Sequence, residues 1–471
     1  MTVFRVTPSL ALIALGSALA VQSCAPSQDS PTPTSSLDLS HYVAVGDSYT
    51  AGVSNGGLTR TSQEYAYPNL LAKSFLAVAP TSTFTQPLLD AGAGTGYLTL
   101  VSYAGSGVPV VQRVPGTAVR GQVIDPSACG GPDTLRLLTR SATTSTLPQN
   151  LGIPGLRLSQ IETTGLGNEA QATSAAVFNP YFERLLPAAD GRTYLQAVGT
   201  AASSATFFTY FMGLDDLLPF VRSGGECGGL RTSTIRNQLL ATMKASATKI
   251  LTTLTADGRR GIIARLPDPG SLPLLQLGKG DVLQRRLQTA ANDTSLRVYI
   301  QAHVGTSFSV RRISELDFVL ATALPRVGRP VTVTVGGSSL SLPYGLDARA
   351  PLVLADVLES IEVTALRSTV NTHNRDLEAL AVGFKFPALD ATGSTLNLQE
   401  GLFNLVAERV AINGVPYSLE PVRGNFFSLD FYSLTPRGNG LLANLFIDAI
   451  NTTYQSNIPA VDVNSLPTTA Q

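Results

Sequence analysis

Apolar residues fall along this chain in two rhythms: short unbroken runs, and longer stretches with helical spacing. Tyr42-Val43-Ala44-Val45, closing on Gly46, predicts a buried strand. Thr206 to Met212, rich in aromatics and closing on Gly213, predicts a second. Ile262-Ile263-Ala264, stopped by Pro267, predicts a third. Between the last two, Ile235, Leu239, Met243, Ala247, Ile250 and Leu254 recur at helical spacing over Thr232–Leu254, with Thr232 or Ser233 as cap and Asp257-Gly258 as stop. Leu441–Tyr454, preceded by Pro436 and Gly438, predicts another amphipathic helix, and Val370–Leu380 is a helical run. Strands alternating with helices imply an α/β protein whose parallel sheet is covered on both faces.

Two stretches break this rhythm. Residues 91–148 are Gly-rich and irregular, with one strand expected at Tyr97–Val101. Residues 274–346 contain Val331–Val335, then Gly336-Gly337, then Ser339–Leu342, an alternating pattern about two glycines that predicts a β-hairpin. Both are expected to be insertions on the α/β body, of a length that commonly forms a rim or lid over a site.

The first 23 residues stand apart. Arg5, an apolar run from Leu10 to Val21 and then Val21-Gln22-Ser23-Cys24 have the layout of a secretory signal, and the run is short for a membrane span. The Val-x-Ser-Cys ending resembles a bacterial lipobox, which implies a diacylglyceryl group on Cys24, anchorage to a membrane and an exported, cell-envelope location at the outer membrane or cell surface. Ordinary cleavage with Cys24 incidental is the alternative. Residues 24–40, rich in Pro, Ser and Thr, form an expected tether, and 41–471 the folded body. Export leaves Cys129 and Cys227 in an oxidising compartment, where they can pair as one disulfide or remain as two free thiols. With 33 basic and 33 acidic side chains among 471 residues, bulk charge attracts no nucleic acid. Histidine and cysteine spacing gives no metal cluster, and no glycine motif signals a cofactor.

The chemistry concentrates in Gly46-Asp47-Ser48-Tyr49-Thr50-Ala51-Gly52. A serine just beyond the first strand of a parallel sheet sits at the carboxyl edge, where such sheets place their sites. Three further segments follow in order: Asn150-Leu151-Gly152-Ile153-Pro154-Gly155, then Met212-Gly213-Leu214-Asp215-Asp216, then Asp430-Phe431-Tyr432-Ser433 with Pro436 and Gly438 downstream. Together they resemble the blocks of the GDSL/SGNH family of serine ester hydrolases. Tyr67-Pro68-Asn69, Asn179-Pro180-Tyr181-Phe182 and Leu266-Pro267-Asp268 are similar to stretches of its exported Bacteroidetes-type members. The resemblance implies a three-layer α/β/α sandwich with a mostly parallel, flavodoxin-like sheet. It implies Ser48 as nucleophile and oxyanion donor, Gly155 as a second donor, and Asp430 as the triad acid. The implied ligands are small-molecule acyl esters, lipids or acetylated glycans.

Two positions depart from the family pattern. Asp215 stands where the family carries an asparagine oxyanion donor, and Ser433 where it carries the catalytic histidine. A neutral serine needs a base, and a second hydroxyl is too weak to be one. An ionised carboxylate accepts hydrogen bonds and repels a developing oxyanion, unless burial near Asp216 and Asp430 keeps it protonated. Of the three histidines, His41 lies at the wrong end of the first strand and His373 in a helix; His303, in the second insertion, is the best substitute base if a lid folds over the site. Three readings stay open: a hydrolase with a rearranged site, an inactive ligand-binding relative, and a structural envelope lipoprotein.

Overall fold

The structure, a computed structural model, describes residues 37–104, 108–125, 133–140, 146–172, 177–305, 307–384, 395–397 and 402–470. The signal segment, Cys24, most of the tether and Cys129 lie outside the described residues.

Its centre is a parallel sheet of β1 (Tyr42–Gly46), β2 (Asn150–Gly152), β3 (Phe207–Phe211), β4 (Arg260–Arg265) and β5 (Thr395–Asn397). The spatial order is β5-β4-β3-β1-β2, so β1 lies between β2 and β3. Every residue of β1 and β3 is buried, which explains why both read as unbroken apolar runs rather than alternating ones. The expected first three strands form, each with bounds shifted by a residue or two. The β2 and β5 strands, three residues each, are too short for a periodic signal.

Helices α1 (Tyr67–Phe75), α2 (Tyr194–Ala202), α3 (Leu214–Arg222), α4 (Ser233–Thr255), α5 (Ser360–Gly383) and α6 (Pro436–Tyr454) surround the sheet in sequence. The α4 and α6 helices match the periodic stretches, and α5 extends the expected helical run well towards its N-terminus. Tyr67 of α1 stacks on Phe446 of α6 at 4.8 Å, and its hydroxyl meets Thr50 Oγ1 at 3.0 Å. That contact fastens the turn after Ser48 to the helices. Among the described residues no helix is long and apolar enough to cross a membrane.

No described strand of residues 91–148 or 274–346 joins the parallel sheet. The first stretch is more regular than its composition suggests: Tyr97–Tyr103 pairs with Pro109–Val114, and Val119–Asp125 with Asp133–Leu138. Cross-strand hydrogen bonding supplies this order, and glycine-rich composition hides it. In the second stretch the expected hairpin forms between Pro330–Val335 and Ser338–Pro343, with Gly336 and Gly337 at φ 55° and 83°. A second hairpin pairs Tyr299–Val304 with Ser307–Arg312. Buried Glu183 bridges Arg140 at 2.8 Å and Arg120 at 3.3 Å, pinning the first stretch to the helix Pro180–Leu185.

Gly46 ends β1 in a space with no room for a side chain. A Cβ there would lie 2.0 Å from Thr50 Oγ1 and 2.2 Å from the Phe211 carbonyl oxygen. The latter is backbone of the adjacent strand and cannot rotate away. Gly46→Ala is therefore expected to destabilise the fold by about 3 kcal/mol, read as a lower urea midpoint with unchanged slope. An unchanged midpoint would mean that the turn tolerates bulk.

Candidate active site

Strand β1 delivers Asp47 and Ser48 to the carboxyl edge of the sheet, and β3 delivers Gly213 and α3 beside them. Asp47 is fully buried, and its Oδ2 accepts from the backbone N–H groups of Gly213 and Leu214 at 3.0 Å and of Asp215 at 3.3 Å. These are the free donors of the α3 N-terminus, so Asp47 acts as their cap from outside the helix. The arrangement fixes the first turn of α3, and with it Asp215, against Ser48. Sequence reasoning missed this positioning role of Asp47, although the residue sits within the serine motif itself.

Asp215 points into the serine site. Its Oδ2 accepts three hydrogen bonds: from Ser48 N–H at 3.0 Å, from Gly155 N–H at 2.9 Å and from the Ser48 hydroxyl at 2.5 Å. The Gly155 N–H also lies 3.2 Å from Ser48 Oγ. Gly155 has φ 73°, a left-handed conformation that favours glycine and turns its N–H inward. The loop is braced by Asn179, whose Nδ2 donates to the Pro154 carbonyl at 3.0 Å while its Oδ1 caps the next helix at Tyr181 and Phe182. Thus Ser48, Gly155 and Asp215, far apart in sequence, come together as the motifs imply.

The Asp430 loop forms a separate knot. Asp430 Oδ1 accepts from the N–H groups of Ser433 at 2.8 Å and Tyr432 at 3.1 Å, and from Ser428 Oγ at 3.0 Å. Its Oδ2 accepts from Gly56 N–H at 2.7 Å and from the Ser433 hydroxyl. Ser433 is fully buried and also faces Ser428 Oγ at 3.0 Å. Neither Asp430 nor Ser433 hydrogen-bonds Ser48; the link between loop and serine motif is Tyr49, whose hydroxyl donates to the Tyr432 carbonyl at 2.6 Å.

No imidazole reaches the serine. His41 Nδ1 lies 3.2 Å from Ser40 Oγ at the start of β1. His373 is buried in α5 with no hydrogen-bond partner on either ring nitrogen, and burial pushes its pKa down to about 4. His303, the expected outsider, corrects that expectation: its ring is bracketed by Glu359 Oε1 at 2.6 Å, Glu226 at 3.3 Å and Glu362 at 3.8 Å. The strand carrying it pairs within the second insertion and holds the ring against α5. Spacing of histidine and cysteine could not reveal this group, because its other members are glutamates brought from 56 residues or more away. Cys227 is buried and disulfide-bonded.

Comparison with protein-family models, with curated proteins and with solved structures returns no match.

The carboxyls around α3 share one electrostatic problem. Burial first, and then the neighbouring Asp215 charge, raise Asp47 well above the usual carboxylate range. Burial raises Asp215 too, against the lowering effect of its bonds from Ser48 and Gly155. Burial pushes Asp216 up to about 7, although Leu158 N–H donates to it at 2.9 Å. An acid with a raised folded pKa binds its proton more tightly in the native state, so its contribution is present below the unfolded pKa and lost as pH rises through the folded value. For Asp216 that window runs from about 4 to about 7. Asp216→Asn is expected to gain stability on the wild type between pH 5 and pH 8, by at most about 4 kcal/mol. Urea midpoints of both proteins at the two pH values read the difference; equal differences at both would contradict it.

Proposed function

We propose that the chain is an exported lipoprotein built on a GDSL/SGNH-type esterase scaffold whose serine site is held shut and does not turn esters over at neutral pH. The observation that carries this reading is the position of Asp215 Oδ2, 2.9 and 3.0 Å from the Gly155 and Ser48 N–H groups. Those are the distances at which oxyanion donors hold a transition-state oxygen. The protein's own carboxyl oxygen therefore sits where the substrate's oxygen would develop charge. Hydrogen bonds to an ionised acceptor contribute ~1.5–3 kcal/mol each, and a substrate has to displace all three donors from Asp215 before reaction. Each 1.36 kcal/mol of that cost lowers the rate about tenfold.

The base is absent from the same site. Ser433 takes the sequence position of the family's histidine, and its hydroxyl is spent on Asp430. The three-layer sandwich belongs to this proposal. It is supported by the parallel strand order and by two sets of helices that pack among themselves, α1 with α6 and α4 with α2 and α5. The retained chemistry of the site favours an acyl ester or acetylated glycan as the bound ligand, without cofactor.

One observation favours a second reading. The 2.5 Å contact between Ser48 Oγ and Asp215 Oδ2 is within reach for proton transfer, and a carboxylate with a raised pKa is a better base than an ordinary one. Asp215 would then deprotonate Ser48 after leaving the oxyanion donors.

The two readings predict opposite signs for one substitution. Under the first, wild-type protein resists fluorophosphonate labelling at Ser48 and hydrolyses a nitrophenyl acetate ester no faster than its Ser48→Ala variant. Asp215→Asn with Ser433→His then gains at least about tenfold in labelling rate. Under the second, the wild type is labelled and Asp215→Asn abolishes labelling. Wild-type labelling at Ser48 overturns the closed-site reading. Because Ser433 is buried, circular dichroism accompanies the double variant, and wild-type labelling alone suffices should it not fold.

The lipid anchor is tested separately. Cells expressing the full chain and fed labelled palmitate are expected to label the protein, and Cys24→Ser to lose both the label and membrane fractionation. Labelling retained in Cys24→Ser would remove the anchor.

A further inference from the structure

Away from the serine, His303, Glu359 and Glu362 bring one imidazole nitrogen and two carboxylate oxygens within 4.8 Å of one another. His303 comes from the strand Tyr299–Val304 of the second insertion; Glu359 precedes α5 and Glu362 lies in its first turn. Glu362 is fully buried. Its Oε2 accepts from Glu359 N–H at 2.8 Å, but its Oε1 has no hydrogen-bond partner. The nearest cations, His303 Nδ1 and Arg231 Nε, each stand 3.8 Å away, beyond hydrogen-bonding range. A buried carboxylate oxygen without a donor is costly, and this one is aimed at the imidazole.

The other side of the ring is furnished as well. His303 Nε2 faces Glu226 Oε1 at 3.3 Å, which lets the ring keep its proton on Nε2 and present the Nδ1 lone pair to Glu359 and Glu362. A carboxylate behind a histidine is the usual support for a metal-ligating ring. Arg311 does not neutralise the group, since Asp317 holds its guanidinium at 2.6 and 2.9 Å and Glu359 Oε2 lies at 3.4 Å.

We propose that this cluster binds one divalent cation of the zinc class through His303 Nδ1 and one oxygen each from Glu359 and Glu362, with water in the fourth position. An imidazole with two carboxylates suits zinc or cobalt over calcium and magnesium, which prefer all-oxygen shells. At present Nδ1 and Glu359 Oε1 are 2.6 Å apart and share a proton. Ligands on a tetrahedral zinc stand ~3.3 Å apart, so the glutamate withdraws by less than ~1 Å as that proton is released to solvent. The cation ties the second insertion to the start of α5 and, through Glu226, to the loop that follows α3. This inference stands independently of the esterase reading, because it uses none of the serine-site residues.

The test uses the full mature chain, purified without a metal-affinity tag, dialysed against chelator and titrated with zinc in competition with a chromophoric indicator. One equivalent is expected to bind, and cobalt is expected to give the absorption bands of a four-coordinate nitrogen–oxygen site. Glu362→Gln and His303→Phe each weaken zinc by at least about 100-fold, and Glu226→Gln by about tenfold. Less than a tenth of an equivalent bound by the wild type, or full affinity in both ligand variants, overturns the proposal. Should the variants misfold, cobalt bands of six-coordinate type or none in the wild type overturn it equally.

Discussion

Everything at the serine site follows from one oxygen atom that satisfies three donors at once. Asp215 Oδ2 takes the Ser48 N–H, the Gly155 N–H and the Ser48 hydroxyl, and these groups come from three separated parts of the chain. In a buried setting none of them can be left unpaired cheaply. The carboxyl thus holds the loop after β2, the turn after β1 and the first turn of α3 in register. The same bonds that order the site also occupy it.

Asp47 makes this possible. By accepting the free N–H groups of α3 it places a helix N-terminus next to Asp215, where the backbone dipole favours negative charge. Burial opposes that charge, and the raised pKa of Asp47 expresses the compromise: the first carboxyl is neutral at ordinary pH, so the cluster need not carry several adjacent negative charges. An asparagine at 215 would avoid the conflict and leave an amide donor for a substrate. The aspartate instead turns a donor position into an acceptor, a change of sign rather than of degree.

The second departure acts differently. Ser433 is not an idle replacement, for its hydroxyl and N–H both bind Asp430 and its side chain is fully enclosed. The Asp430 loop has become a structural knot joined to the Gly56 turn. An acid that in a triad would orient a base is here consumed by its own loop. Two independent parts of a hydrolytic apparatus are thereby diverted into local stability, in keeping with a scaffold kept for its shape.

The sequence by itself determined the sheet's central strands, the long helices and the serine motif, because unbroken apolar runs, helical periodicity and glycine punctuation are local signals. It also marked Asp215 and Ser433 as the positions on which the chemistry turns, since the type of residue decides donor from acceptor. Only the tertiary structure decided what those residues do. Nothing local states that Asp215 lies on the oxyanion donors, that Asp47 caps a helix 166 to 168 residues away, or that His303 meets Glu359 and Glu362. Such contacts are set by how β1, β3 and α5 pack, and packing is a property of the whole chain that no short window of residues contains.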